Sequence, residues 1–170
     1  MRAAVLALAL ALPAGAEENS GLDRLDTRED LRGWEAVGRV DIVDGGFCTG
    51  TLIAPDLVLT AAHCVFDLDG TPIDAARLRF RAGLADGVAI AESAVIRTVA
   101  SEGFSGKDPI PVEEMLHDVA LLQLAAPIPS STISPFSVSL PGAGDEVSVV
   151  SYAEGREDAL SWQRICRVLG

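Results

Sequence analysis

The chain has 170 residues, 25 acidic side chains against 13 Lys and Arg, and a formal net charge of −12. Affinity for phosphate backbones comes from clustered Lys and Arg, so this balance argues against a nucleic-acid binder and against attraction to anionic membrane surfaces. Only two histidines are present, so acid-base chemistry near neutral pH falls first on His63 or His117.

The opening "MRAAVLALALALPAGA" carries one Arg, an apolar run from Ala3 to Leu12, and small residues ending Ala14-Gly15-Ala16. The run is too short to cross a bilayer as a helix but suits a secretory signal cleaved before Glu17, which implies a secreted or periplasmic protein with no membrane segment after cleavage. Residues 17–33 are charged and aperiodic, and are expected to form a mobile arm or loop ahead of the fold.

Short, strand-like patterns follow. "WEAVGRVDIV" from Trp34 to Val43 alternates, and "DGG" at Asp44 to Gly46 supplies a hairpin turn into "FCTGTLIA". Pro55-Asp56 turns the chain again into "LVLTAAHC", and "DLDG" from Asp67 to Gly70 is turn chemistry. "ARLRFRAG", "VAIAESAVIRTVA", "DVALLQL", "FSVSL", "EVSVVSYA" and "SWQRICRVL" are further predicted strands, and "DAARLR" holds at most one helical turn. Such spacing without long helical patterns indicates an all-β barrel or sandwich. A boundary is expected near "AAPIPSSTISP", where Pro and Ser interrupt the strand pattern.

In an oxidising compartment Cys48 and Cys64 are the obvious disulfide pair, and a loop of that length adds about 3 kcal/mol on the chain-entropy account. Cys166 is then left over as a free thiol, half of an intermolecular bridge, or a cysteine whose partner lies elsewhere. The proposed bridge would anchor the backbone of His63, and a catalytic base needs that fixity.

"TGTLIAPDLVLTAAHC" closely resembles the histidine segment of trypsin-like (chymotrypsin-fold) serine proteases, and "HDVALLQLAAPI" resembles their aspartate segment. The resemblance implies an antiparallel β-barrel, with residues 34–128 as a first barrel and residues 129–170 as a linker and incomplete second barrel. It implies a serine endopeptidase acting on protein or peptide substrates without cofactor or metal, in which His63 is the general base and Asp118 orients it. His117 is expected at the surface or rim. The "RGWEAVGR" run resembles the opening strand of bacterial secreted members, the glutamyl endopeptidase-like branch included.

The nucleophile segment of that family, Gly-Asp-Ser-Gly-Gly or a close relative, does not occur in the sequence. Ser105 in "FSGK" precedes Asp118, and Ser161 in "SWQR" has no glycine elbow. The simplest expectation is a chain that ends before its nucleophile, with "EVSVVSYA" and "SWQRICRVL" as the opening hairpin of the second barrel. In relatives a cysteine at the place of Cys166 bridges to one near the nucleophile. Such a chain would be inactive alone and would expose an apolar face that the second barrel normally covers.

Two rival readings remain at this level. One is a catalytically inactive homologue serving as a secreted binding module. The other is a metal site among His63, Cys64, His117, Asp118 and Cys166, which the alternation of side chains along a strand disfavours. "DLDG" as a calcium loop lacks the further oxygen ligands.

Overall fold

The computed structural model describes residues 22–153 and 155–169. The expected signal, residues 1–16, lies outside them. Among the described residues no helix is long and apolar enough to cross a membrane.

Among the described residues, nine strands form two sheets. The strands are β1 (Leu22–Leu25), β2 (Val37–Ile42), β3 (Phe47–Ala54), β4 (Leu57–Thr60), β5 (Leu78–Ala82), β6 (Ala91–Ala100), β7 (Ala120–Leu124), β8 (Glu146–Ala153) and β9 (Arg156–Arg167). Strands β2-β3-β4-β7-β6-β5 close into an antiparallel barrel, and β1-β9-β8 make a three-stranded sheet. The expected all-β, antiparallel barrel is therefore what the chain forms.

The barrel begins with the β2–β3 hairpin. Asp44 takes positive φ at its turn, and the Ile42 N–H donates to the Gly46 carbonyl. Alternation then does the sorting: Val40, Leu52, Val58, Phe80, Val95 and Leu122 all point inward and are fully or nearly fully buried. Each such side chain contributes about 1.5–3 kcal/mol of apolar burial. Phe80 fits because its neighbours are glycines. Gly38 and Gly50 face each other across β2 and β3, and a Cβ at Gly38 would fall 2.4 Å from the Phe80 ring.

The expected mobile arm at residues 17–33 is corrected over its described part. Leu22–Leu25 pair residue for residue with Gln163–Leu160 of β9, and Leu25 and Leu31 are buried. The two leucines anchor a segment whose charges ride outside, where Arg24 reaches Asp158 and Arg164 reaches Asp23. Arg28 donates to the carbonyls of Gly83 and Val88 and fastens the segment to the barrel. Local periodicity carries no trace of partners more than a hundred positions away.

"FSVSL" does not form a strand. Phe136 donates its N–H to Leu52 and packs inward, but residues 137–140 are exposed and lie between Pro135 and Pro141, which offer no ladder donor. "DAARLR" is a three-residue 3-10 turn, Ala75–Arg77, capped by the Asp74 carboxylate.

A second apolar cluster joins the small sheet to the barrel. Trp34 stacks edge-on to Phe136 and tilted against Trp162, with centroids 6.0 and 5.6 Å away. The buried Tyr152 hydroxyl donates to the Leu84 carbonyl at 2.9 Å, and its N–H donates to Thr49 Oγ1. The Arg39 guanidinium donates to the Glu157 carbonyl at 2.7 Å.

Candidate active site

Thr60 at the end of β4 is the register partner of Ala120 at the start of β7. The segments that leave β4 and enter β7 therefore share one end of the barrel, although His63 and Asp118 are 55 positions apart.

After Thr60 the chain leaves the strand and winds into a 3-10 turn, Ala62–Val65. This corrects the expectation that His63 and Cys64 continue a strand. The turn buries Cys64 and leaves His63 outward. Cys64 is bonded to Cys48 of β3, with Cα atoms 6.2 Å apart, so the histidine backbone is tied to the barrel wall.

Asp118 arrives from a 3-10 helix, Val112–His117, and sits at its C-terminal end with φ −76° and ψ 60°, two residues before β7 begins. Its Oδ1 accepts from the His63 backbone N–H at 2.9 Å, and its Oδ2 lies 2.8 Å from His63 Nδ1. A carboxylate only accepts, so Nδ1 carries the proton and Nε2 keeps its lone pair. Nε2 has no hydrogen-bond partner among the described residues. The Asp118 side chain is 19% exposed and that of His63 53%, so the carboxylate is sheltered and the ring stands open to a reactant.

The other sequence candidates lie elsewhere. His117 is exposed, with its ring against Gly103. Ser105 donates its hydroxyl to Glu114 Oε2 at 2.8 Å, and Ser161 is buried in β9 on the other sheet. These contacts of Ser105 hold the Glu114 carboxyl below its ordinary value. Cys166 is a partly buried free thiol.

Cys48, His63 and Cys64 do place donor atoms within 4.8 Å of one another. The bend of the 3-10 turn, rather than strand alternation, brings them together. Both sulfurs are bonded to each other, which leaves His63 as the one available donor in that cluster. In "DLDG", Asp67 pairs with Arg77 at 3.3 Å, and Asp69 accepts from the Thr71 N–H, which lowers its pKa.

Sequence reasoning passed over a cavity of about 220 Å³ beside the histidine, lined by His63, Phe66, Leu68, Gly106, Lys107 and Ile110 among others. Its walls come from loops 66–70 and 106–110, which carry no periodic signal. The glycines at 70 and 106, both with positive φ, were the one available sign of close backbone approach.

A closed six-stranded barrel with a histidine and an aspartate paired at one end defines the class to which this chain is similar. The model of the Trypsin family matches residues 28–165, and the chain belongs to this family of trypsin-like serine proteases. The Modular serine protease of Drosophila melanogaster is 30% identical over 118 residues, which are 64% of this chain and 18% of that protein. The chain thus spans under a fifth of the length of that curated relative. Among solved structures, a Glu endopeptidase in complex with MPD superposes with a TM-score of 0.67 at 19% identity, covering 86% of this chain and 68% of that one. The scabies mite inactivated protease paralogue S-I1 has a TM-score of 0.61 at 20% identity, with coverage of 87% and 66%. The protease Anisep from Arthrobacter nicotinovorans has a TM-score of 0.60 at 17% identity, with coverage of 75% and 62%. These similarities establish the fold.

Proposed function

We propose that the chain is the N-terminal part of a serine endopeptidase, with His63 as general base and then general acid and Asp118 as the group that orients it. In this reading a serine hydroxyl gives its proton to His63 Nε2 as its oxygen attacks the peptide carbonyl. The imidazolium is held by Asp118 and returns the proton to the leaving amine; water then repeats the cycle on the acyl-enzyme. The observation that carries the reading is the double contact of Asp118 with the backbone and ring of His63. No step calls for a metal or cofactor.

The nucleophile is proposed to be encoded beyond Gly170, on a second barrel that β8 and β9 begin. In support, β8 and β9 form a hairpin, Cys166 has a free thiol there, and Val149 and Leu169 are exposed. Without a nucleophile a triad enzyme loses about six orders of magnitude in turnover, the figure known for subtilisin, so the 170 residues alone are expected to be inactive. The disulfide fits an extracytoplasmic site of action on protein or peptide substrates.

The test is to express the reading frame extended past Gly170 and label it with a fluorophosphonate. The expected result is one labelled serine, with labelling lost in His63→Ala. An extension of second-barrel length without a Gly-x-Ser-Gly segment would overturn the endopeptidase reading. It would favour an inactive homologue used for binding, a second reading prompted by the lack of any glycine-flanked serine after Asp118 in this sequence.

A further inference from the structure

We propose that Glu114 is a positioning residue for Asp118: its clasp on Ser105 fixes the turn of the helix that delivers the Asp118 carboxylate to His63. The inference rests on the endopeptidase reading for its bearing on catalysis, but not for the geometry it claims. His63 is stapled to the barrel through the disulfide of its neighbour Cys64, whereas Asp118 has no such staple. It follows the 3-10 helix Val112–His117, none of whose residues is buried, and Val112, Met115 and Leu116 are exposed. Apolar packing therefore does not orient this helix.

The helix is held at both ends. Ahead of it Ile110 is partly buried against the barrel core, and behind it the Ser101 N–H donates to the Val119 carbonyl at 2.8 Å. Two fixed ends still leave rotation about the line between them. Glu114, near the middle, opposes that rotation: its Oε2 accepts from the Ser105 N–H at 2.7 Å and from the Ser105 hydroxyl at 2.8 Å. Further along, the His117 ring lies against Gly103, where a Cβ would fall 3.2 Å from it.

The loop that Glu114 grips is itself tied to the histidine side. Phe104 is buried and packs on Phe66 with centroids 5.6 Å apart, and a Cβ at Gly106 would fall 2.5 Å from the Phe66 ring. The Phe66 N–H in turn donates to the His63 carbonyl at 3.4 Å. One short run, residues 103–106, thus braces the segment carrying His63 against the segment carrying Asp118. A misplacement of about 1 Å costs a catalytic group much of its effect, so a tether outside the reacting pair bears on rate. The rival role for Glu114 is that of a charge, since Lys107 and, when protonated, His117 act on the same carboxylate. A clasp needs the length of the side chain, whereas a field needs its charge.

The experiment is NMR on the isotopically labelled, disulfide-intact chain, measuring how fast the His63 Nδ1–H exchanges with water. Glu114→Asp keeps the charge but is one methylene shorter, Glu114→Gln keeps the length and an acceptor oxygen without the charge, and Glu114→Ala keeps neither. Exchange should be about threefold or more faster in the Asp and Ala variants, a modest factor suited to a contact open to solvent, and close to that of the parent in the Gln variant. Ser105→Ala, which leaves the backbone donor in place, should fall between. Methyl signals of the fully buried Leu52 and Leu122 should stay where they are in every variant. Parent-like exchange in the Asp and Ala variants, exchange in the Gln variant as fast as in Ala, or a shift of the core methyls would each overturn the proposal. Fluorophosphonate labelling of the reading frame extended past Gly170 reports the endopeptidase reading separately. Clasp-dependent exchange with no labelled serine would sink that reading alone, and a labelled serine with clasp-independent exchange would sink the clasp alone.

Discussion

The Asp118 carboxylate grips His63 at two places, Oδ1 on the backbone N–H at 2.9 Å and Oδ2 on Nδ1 at 2.8 Å. One contact sets where the residue sits and the other sets how its ring is turned and which nitrogen bears the proton. Rotating the ring about its bond to Cβ would break the second contact while leaving the first.

Asp118→Asn tests this hold. The amide can present its NH₂ to Nδ1 and move the ring proton to Nε2, so the Nδ1–H resonance of His63 should vanish while the fold persists. In the proposed endopeptidase the same change should lower kcat by about 10⁴, the loss known for the equivalent substitution in a serine protease triad. A retained Nδ1–H signal would show that the ring is held by something other than Asp118.

Removing the disulfide should cost stability without unfolding the barrel topology. Cys48 and Cys64 are separated by 16 positions, and closing a loop of that size is worth about 3 kcal/mol. Urea denaturation of Cys48→Ala/Cys64→Ala should show an unfolding free energy lower by about that amount, with a smaller further loss from packing at the buried Cys64, and so a lower midpoint. A midpoint unchanged from the parent chain would contradict the anchoring role.

Gly38→Ala should overpack the barrel. Its new methyl would meet the Phe80 ring at 2.4 Å and the Arg81 carbonyl oxygen at 2.6 Å, and the backbone atom cannot swing away. A cost of about 1–3 kcal/mol is expected. Gly46→Ala, with nothing within 4 Å of its new Cβ, should change the unfolding free energy by no more than about 0.5 kcal/mol. Thermal or urea unfolding of the two variants side by side measures the contrast.

Tyr152 is the single tyrosine of the chain, so its titration can be followed by ultraviolet absorption. Burial raises its pKa far above the usual range, outweighing the Leu84 backbone hydrogen bond that lowers it. Folded protein should show no phenolate at pH about 10, where a free tyrosine is half ionised. The unfolded state releases this proton first, so the tyrosine's stabilising contribution is complete below about pH 10 and is lost as pH rises above it. Tyr152→Phe should abolish that alkaline dependence and cost about 1–3 kcal/mol by leaving the Leu84 carbonyl unpaired. A phenolate signal at pH 10 from folded protein would refute the burial.

Much of this molecule is written locally. The alternation in "VGRVDI" and "ALLQL", the turn at Asp44 to Gly46, and the cysteines flanking "TGTLIAPDLVLTAAH" identify the barrel strands, the hairpin and the staple, because each depends on neighbours within a few positions or on one recognisable spacing. The segment around His63 and the start of β7 named the two residues, His63 and Asp118, that the structure brings into contact. Tertiary structure decided the rest. Whether residues 22–25 belong to a free arm or a paired strand depends on β9, which lies over a hundred residues later. Whether "FSVSL" is a strand depends on an edge to pair with, and hydrophobic alternation cannot supply one. The pocket of Phe66, Leu68 and Ile110 exists only because two loops close on each other through glycines. A sequence records which side chains can be buried; three-dimensional packing determines what buries them, and a cavity is a property of that packing.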